Sequence, residues 1–339
     1  MATETRVAWS RRFVAQSLLA VVATAPALAR TAVAPAIPPE PAPANSGSGS
    51  VRIASERDNR LTTKVYINGT GPYRFLVDTG AERTLIAAEI AARLALPRGA
   101  RVVVEGITGR QPAVLVRIRS LRMGSLVSSS LEVPVLPRAM MNVDGYLGLD
   151  VLDRHRVVLD FRARTLTVTR PQGFFAALWA HNDEAIVRTL GSSGRLRATD
   201  CLVNGVRAAA FVDTGAEVSV SNPALYAALL KHDSNRQIVG GPVELTGVTG
   251  GTIVGRSLNI DDIRVGDLHL TYTPLVVAPL EVFDVWGLSA QPALLFGMDC
   301  LRRFARVTVD YRRKELRFEL ASAGAVQPLE AELSQPMTG

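Results

Sequence analysis

Cysteine is nearly missing from this chain: Cys201 and Cys300 are the only two in 339 residues. Two cysteines exclude a disulfide-stapled scaffold and a four-cysteine zinc site. Pairing in an oxidising compartment and burial as two separate thiols are both open at this point. Histidine is scarce as well. His155, His181, His232 and His269 are scattered without metal-ligand spacing, so they read as surface or satisfied core residues, and no metal or other cofactor is expected. Aromatic residues make up only 6% of the chain. The basic groups are almost wholly arginine and are dispersed, with short runs at Arg11-Arg12, Arg302-Arg303 and Arg312-Arg313-Lys314. Single strands of nucleic acid are bound by basic and aromatic side chains interleaved along one surface, which this pattern lacks. The formal charge of +7 therefore reads as solvated surface charge, and no nucleic-acid partner is expected. No Gly-x-Ser-x-Gly elbow surrounds Ser219 or Ser221, which excludes that serine-hydrolase arrangement. Past the first thirty residues, no apolar run is long enough to cross a membrane.

What is present begins with an address. Arg6, Arg11 and Arg12 precede an apolar run from Phe13 to Leu28, and Ala27-Leu28-Ala29 fits a small-residue cleavage site. The run is short for a membrane span and is interrupted by Gln16 and Pro26. Residues 1–29 are accordingly read as a cleaved signal peptide, with an uncleaved N-terminal anchor as the lesser alternative. Residues 30–58 form a Pro/Ala- and Gly/Ser-rich tether, and polar residues 321–339 a disordered tail. The mature protein is expected to be exported, periplasmic or secreted.

Between these ends the chain is 47% apolar and 20% charged over the whole sequence, an ordinary globular balance with room for about two domains. Short β-branched runs alternate with Gly-containing turns, which indicates a mainly β protein. One stretch stands out. Phe75-Leu76-Val77 runs into Asp78-Thr79-Gly80-Ala81-Glu82, so a buried strand ends by presenting a carboxylate on a tight turn. The stretch recurs as Ala210-Phe211-Val212-Asp213-Thr214-Gly215-Ala216-Glu217, 135 residues later.

Other landmarks recur in the same order. The Gly-tipped hairpin around Gly106-Ile107-Thr108-Gly109 reappears at Gly247-Val248-Thr249-Gly250, tips whose glycine content suits them poorly to core packing. The run Tyr146-Leu147-Gly148-Leu149-Asp150 reappears at Leu295-Phe296-Gly297-Met298-Asp299, and the hairpin Val157–Val168 at Val307–Phe318. The chain is a tandem duplication. Its halves are residues 59–170 and 195–320, and residues 171–194 form a linker that is either a short helix or irregular. Asp150, Asp299, Asp160 and Asp310 also recur, and helix-capping and hairpin-turn roles account for them.

With these landmarks in place, the sequence resembles the retropepsin-like aspartic proteases, specifically the exported bacterial type. The resemblance implies an all-β fold with short helices: two tandem closed β-barrel lobes forming a pseudo-two-fold, bilobal aspartic protease. Many relatives supply one aspartate per chain and dimerise. Two copies here imply a monomer whose lobes form an intramolecular pseudo-dimer, as in pepsins.

The implied catalytic pair is Asp78 and Asp213. Thr79, Gly80 and Ala81, with Thr214, Gly215 and Ala216, would support it. Residues Gly106, Ile107, Thr108 and Gly109, with Gly247, Val248, Thr249 and Gly250, would be flaps over an extended protein or peptide substrate. Amide hydrolysis needs a base for water and an acid for the leaving group, and two carboxylates sharing a proton supply both, an effect for which aspartic proteases are a standard example. The alternative is a non-catalytic peptide-binding protein of the same fold in the cell envelope. The implied signature departs at Leu149 and Met298, where viral relatives carry Arg, so partners for Glu82 and Glu217 must come from elsewhere.

Ala81 and Ala216 replace the hydroxyl residue usual in pepsin-type enzymes, a group that would favour the ionised carboxylate by hydrogen bonding. Activity is therefore predicted to peak at less acidic pH than that of a gastric-type enzyme. A pH–rate profile with its maximum at about pH 2 would contradict this.

Overall fold

The computed structural model describes residues 61–169, 184–190, 196–233 and 240–320, with the backbone of four short strands before them. These are β1 (Arg6–Trp9), β2 (Arg12–Val14), β3 (Gly49–Arg52) and β4 (Ala54–Ser55). Apart from those strands, the signal peptide, the tether and the tail lie outside the described residues, as does most of the linker.

The N half opens with β5 (Leu61–Ile67) and β6 (Thr70–Val77), followed by β7 (Leu85–Ala87) and α1 (Ala88–Arg93). A long hairpin system follows: β8 (Arg98–Gly106), β9 (Gly109–Met123) and β10 (Leu126–Leu136). Then come α2 (Arg138–Met141), β11 (Gly145–Leu147), α3 (Leu149–Leu152), β12 (Arg156–Asp160) and β13 (Thr165–Thr169). Strands β5, β6, β11, β7, β10 and β9 pair in that order, and β9 returns to β5, closing a six-stranded barrel.

After β14 (Glu184–Arg188), the C half repeats the plan with β15 (Arg197–Val203), β16 (Val206–Val212), β17 (Val220–Ser221) and α4 (Pro223–His232). Next are β18 (Pro242–Gly247), β19 (Thr252–Val265), β20 (Leu268–Val277) and α5 (Glu281–Val285). The half ends with β21 (Ala293–Phe296), α6 (Met298–Leu301), β22 (Phe304–Asp310) and β23 (Glu315–Leu320). Strands β15, β16, β21, β17, β20 and β19 close a second six-stranded ring, matching the first strand for strand. Closure leaves these strands no open edges, and inward side chains fill each barrel.

Local sequence explains the strands that carry the motif. Phe75, Leu76 and Val77 are all fully buried, so the end of β6 is covered on both faces, as its continuous apolar run requires. β11 pairs parallel to β6 and antiparallel to β7, threading between strands joined by the Asp78 turn. The approach is so close that a methyl group at Gly148 would lie 2.4 Å from the Arg83 carbonyl carbon. Gly297 meets Val218 in the same way at 2.5 Å. Only glycine fits at these crossings.

Two features differ from the sequence reading, and a third settles an alternative it left open. The closing hairpins do not stay within their halves. β12 pairs antiparallel with β22, Val158 opposite Thr308, and one six-stranded sheet β14-β23-β22-β12-β13-β3 spans both halves. The linker range also contributes a strand to it, β14, which pairs with β23. Finally, Cys201 and Cys300 are both free and buried; burial pushes the Cys201 thiol up to about 12 and raises that of Cys300 too, so both are inert. No helix among the described residues is long and apolar enough to cross a membrane.

Within the shared sheet, Arg306 reaches from β22 to Asp160 on β12 (2.9 Å) and to Glu319 on β23 (2.7 Å). Burial alone would raise the Asp160 carboxyl, but the Ala163 N–H and the Arg306 guanidinium hold it below its ordinary value. A depressed folded value stabilises at neutral pH and is lost as pH falls through it, below about 3.9. Arg306→Met is therefore predicted to cost about 1 kcal/mol at pH 7, a modest figure because the pair keeps solvent contact. Urea unfolding at pH 7 and at about pH 3 checks this; an equal loss at both would contradict the assigned partner.

Candidate active site

The two Asp-Thr-Gly turns meet where the barrels touch. Each aspartate leaves its strand with its N–H bonded to the neighbouring β11 or β21: Asp78 to Leu147 O and Asp213 to Phe296 O, both at 3.0 Å. Asp78 is 1% exposed and Asp213 3%. Carboxylates this buried need donors, and the turns supply them from the backbone. Gly80 and Ala81 N–H groups both donate to Asp78 Oδ1 at 2.9 Å, and Gly215 N–H donates to Asp213 Oδ1 at 2.9 Å.

The threonines lock the turns to each other. Thr79 N–H donates to Thr214 Oγ1 and Thr214 N–H to Thr79 Oγ1, each at 3.1 Å. Each hydroxyl then donates across the interface, Thr79 Oγ1 to Val212 O (3.1 Å) and Thr214 Oγ1 to Val77 O (2.7 Å). Both threonines are buried, so these four bonds form away from water, where an unmade one is expensive. The carbonyls they bind belong to the residues just before the aspartates. The lattice therefore fixes both carboxylates relative to one another. A methyl group at Gly80 would lie 2.6 Å from Asp213 Cγ, so the Asp213 carboxylate rests directly on the backbone of the Asp78 turn.

A second tier supports each turn, and its roles are not helix caps. Asp150 Oδ1 accepts from Thr84 N–H (2.8 Å) and Thr84 Oγ1 (2.7 Å), and Thr84 Oγ1 accepts from Gly148 N–H (3.2 Å). In the C half, Asp299 accepts from Ser219 N–H (2.9 Å) and Oγ (2.7 Å), with Gly297 N–H donating to Ser219 Oγ at 3.0 Å. Burial pushes both carboxyls above their ordinary value, while the Thr84 and Ser219 donors pull the other way. A hydroxyl residue three places after each Ala, recurring with the distant Asp, is the sequence signal that could have revealed this brace. Leu149 and Met298 are buried, and their N–H groups bind Ala81 O and Ala216 O at 2.8 Å.

The hairpins β8–β9 and β18–β19 converge at their tips. Thr108 Oγ1 and Thr249 Oγ1 are 3.1 Å apart, Gly106 faces Thr249, and Gly247 faces Thr108. Gly109 and Gly250 hold positive φ at the turns, +143° and +83°. The tips also pack, contrary to the reading from their glycine content. Ile107 is 1% exposed and sits in an apolar cluster made otherwise of C-half residues, including Phe211, Leu245, Leu280 and Phe283. Glu281 N–H at the start of α5 donates to Ile107 O at 3.1 Å. Val248 is buried too, in the larger cluster shared by both halves. Among the described residues, no group of His, Cys, Asp and Glu is arranged to hold a metal ion.

Two closed barrels, two apposed Asp-Thr-Gly turns and two flaps define an aspartic-protease type of double-lobed fold. The comparisons agree. The aspartyl protease family model matches residues 63–151, and the gag-polyprotein aspartyl protease model matches residues 199–303. The chain carries two aspartyl protease domains of the retropepsin-like kind in tandem, one per half. No curated protein matches it as a relative.

Thr214→Val would strip Val77 O of its donor and Thr79 N–H of its acceptor inside a dry interface. It is predicted to cost about 1–3 kcal/mol in urea unfolding. Thr214→Ser keeps the hydroxyl and is predicted to lose much less. Equal losses for the two variants would show that the methyl group matters, not the bonds.

Proposed function

We propose that the chain is an aspartic endopeptidase that hydrolyses extended polypeptides with water activated between Asp78 and Asp213. One observation carries this reading: the Thr79–Thr214 lattice that brings two buried carboxylates against one another. Burying two like charges side by side is unfavourable unless they share a proton, and a proton-sharing pair is a ready acid and base. A pure peptide binder would have no use for that arrangement.

In the proposed reaction, the ionised carboxylate takes a proton from a water molecule, whose oxygen attacks the peptide carbonyl carbon. The protonated partner first donates to the carbonyl oxygen. As the tetrahedral gem-diol collapses, the C–N bond breaks, the dyad passes its proton to the leaving nitrogen, and one hydroxyl of the adduct returns a proton to the dyad as the carbonyl reforms. The net result adds one water and returns the dyad to its shared-proton state. The Gly80 and Gly215 N–H groups hold the carboxylates in place, and the flaps exclude bulk water. Ile107 buried in the opposite half favours the closed flap, so opening precedes substrate entry. A peptide lying between flap and floor adds as a strand, the usual mode for an extended ligand on an open edge. The finer points of compartment and assembly follow the same reading: an exported monomer whose two halves complete one site.

Asp78→Asn and Asp213→Asn are each predicted to abolish pepstatin-sensitive cleavage of a mixed peptide library, a loss of at least about a thousandfold, with the fold retained. Cleavage persisting in both variants would refute the dyad, whereas peptide binding without any cleavage by the wild-type chain would favour the non-catalytic alternative.

A further inference from the structure

The N-half flap carries a charge that its counterpart lacks. Glu105 precedes Gly106 on β8, whereas Thr246 precedes Gly247 at the matching point of β18. Glu105 is 7% exposed. Its Oε1 is paired across the hairpin with Arg110 at 3.1 Å, but Oε2 is buried with no hydrogen-bond partner among the described residues. A carboxylate oxygen taken from water and given no donor is a standing cost, and a flap that opens and closes has no structural need for it. A second carboxyl lies within its electrostatic reach: Glu82, two residues beyond Gly80. Burial chiefly raises the Glu82 carboxyl, Arg83 lowers it, and Glu105 raises it again, so the two acids sense each other. The outer edge of β8 also accepts an added chain. The backbone of β2 runs antiparallel along it, with Arg12 in register with Glu105.

We propose that Glu105, assisted by Glu82, forms an acidic subsite on the N-half side of the cleft that takes a lysine or arginine side chain of the peptide substrate. This rests on the proposed reading of the cleft as a peptide channel. An arriving ammonium or guanidinium supplies the donor that Oε2 lacks, while Arg110 keeps Oε1. The remaining flap-tip side chains are small or aliphatic, so apolar residues suit the other positions. The subsite also gives direction. A pseudo-two-fold cleft accepts an extended peptide equally well in either sense, and one acid on one flap breaks that equivalence.

The test uses the full chain and apolar decapeptides in which a single Lys, or a single Gln, is placed at each position in turn. Lys is predicted to exceed Gln about tenfold in kcat/KM at one position only, chiefly through KM. That ratio is predicted to fall in high salt and to approach one in Glu105→Gln. Thr246→Glu is predicted to create a second preferred position on the other side of the cleaved bond, which keeps the idea testable if Glu105→Gln does not fold. Equal Lys and Gln rates at every position, or a preference unchanged in Glu105→Gln, would overturn the subsite. If the wild-type chain cleaves none of the peptides, the endopeptidase reading fails on its own. Fluorescence anisotropy with the same labelled peptides then decides the subsite: tighter Lys binding that Glu105→Gln removes supports it, and equal binding overturns it.

Discussion

The bonds exchanged between Thr79 and Thr214 are the constraint on which the remaining architecture depends. Each hydroxyl accepts from the opposite threonine's N–H and donates to the carbonyl one residue before the opposite aspartate. Neither barrel can satisfy its own turn. Because the groups are buried, a separated half would expose or orphan several strong donors and acceptors at once. Pairing of the halves is thus built into the turns that carry the carboxylates, and the site exists only in the paired state.

Around that lattice the molecule adds two further connections at increasing distance. Below the turns, the sheet containing β12 and β22 crosses from one half to the other, with Arg306 joining Asp160 and Glu319. Above them, the flaps touch at Thr108 and Thr249, and Ile107 lies in the opposite half's apolar cluster. The lower connection is an ordered ladder and a packed core, difficult to open locally. The upper one rests on the two tip side chains Ile107 and Val248, one tip-to-tip hydroxyl contact and the Glu281–Ile107 bond, a smaller connection than the ladder below. Larger floor and smaller roof follow from the same duplicated hairpins placed in different surroundings.

Duplication also leaves room for asymmetry. In a dimer of identical chains, a change in one flap appears in both. Here Glu105 stands on one flap while Thr246 occupies the matching place in the other, and α5 holds the Ile107 carbonyl on one side. The paired aspartates and threonines have stayed alike because each needs its partner in register. Positions outside that lattice are under no such requirement.

Legibility followed the range of the interactions. Strand runs ending in Asp-Thr-Gly and the recurring landmarks are local patterns; they revealed the duplication and the residues to watch, and the resemblance they carry implied the two-barrel plan. The sheet shared by the halves was invisible because Val157–Val168 and Val307–Phe318 each read as complete hairpins, and period-two alternation does not name the next neighbour. The Ile107 tip looked exposed because its own hairpin offers nothing to pack against. Asp150 and Asp299 looked like helix caps because their hydroxyl partners, Thr84 and Ser219, lie 66 and 80 residues away. The amino-acid order by itself thus determined that there are two equivalent lobes, each ending a buried strand in a carboxylate. Only the tertiary structure decided that the carboxylates share one dry interface, held by bonds between lobes, because pairing across 135 residues depends on shape and burial and leaves no periodic trace.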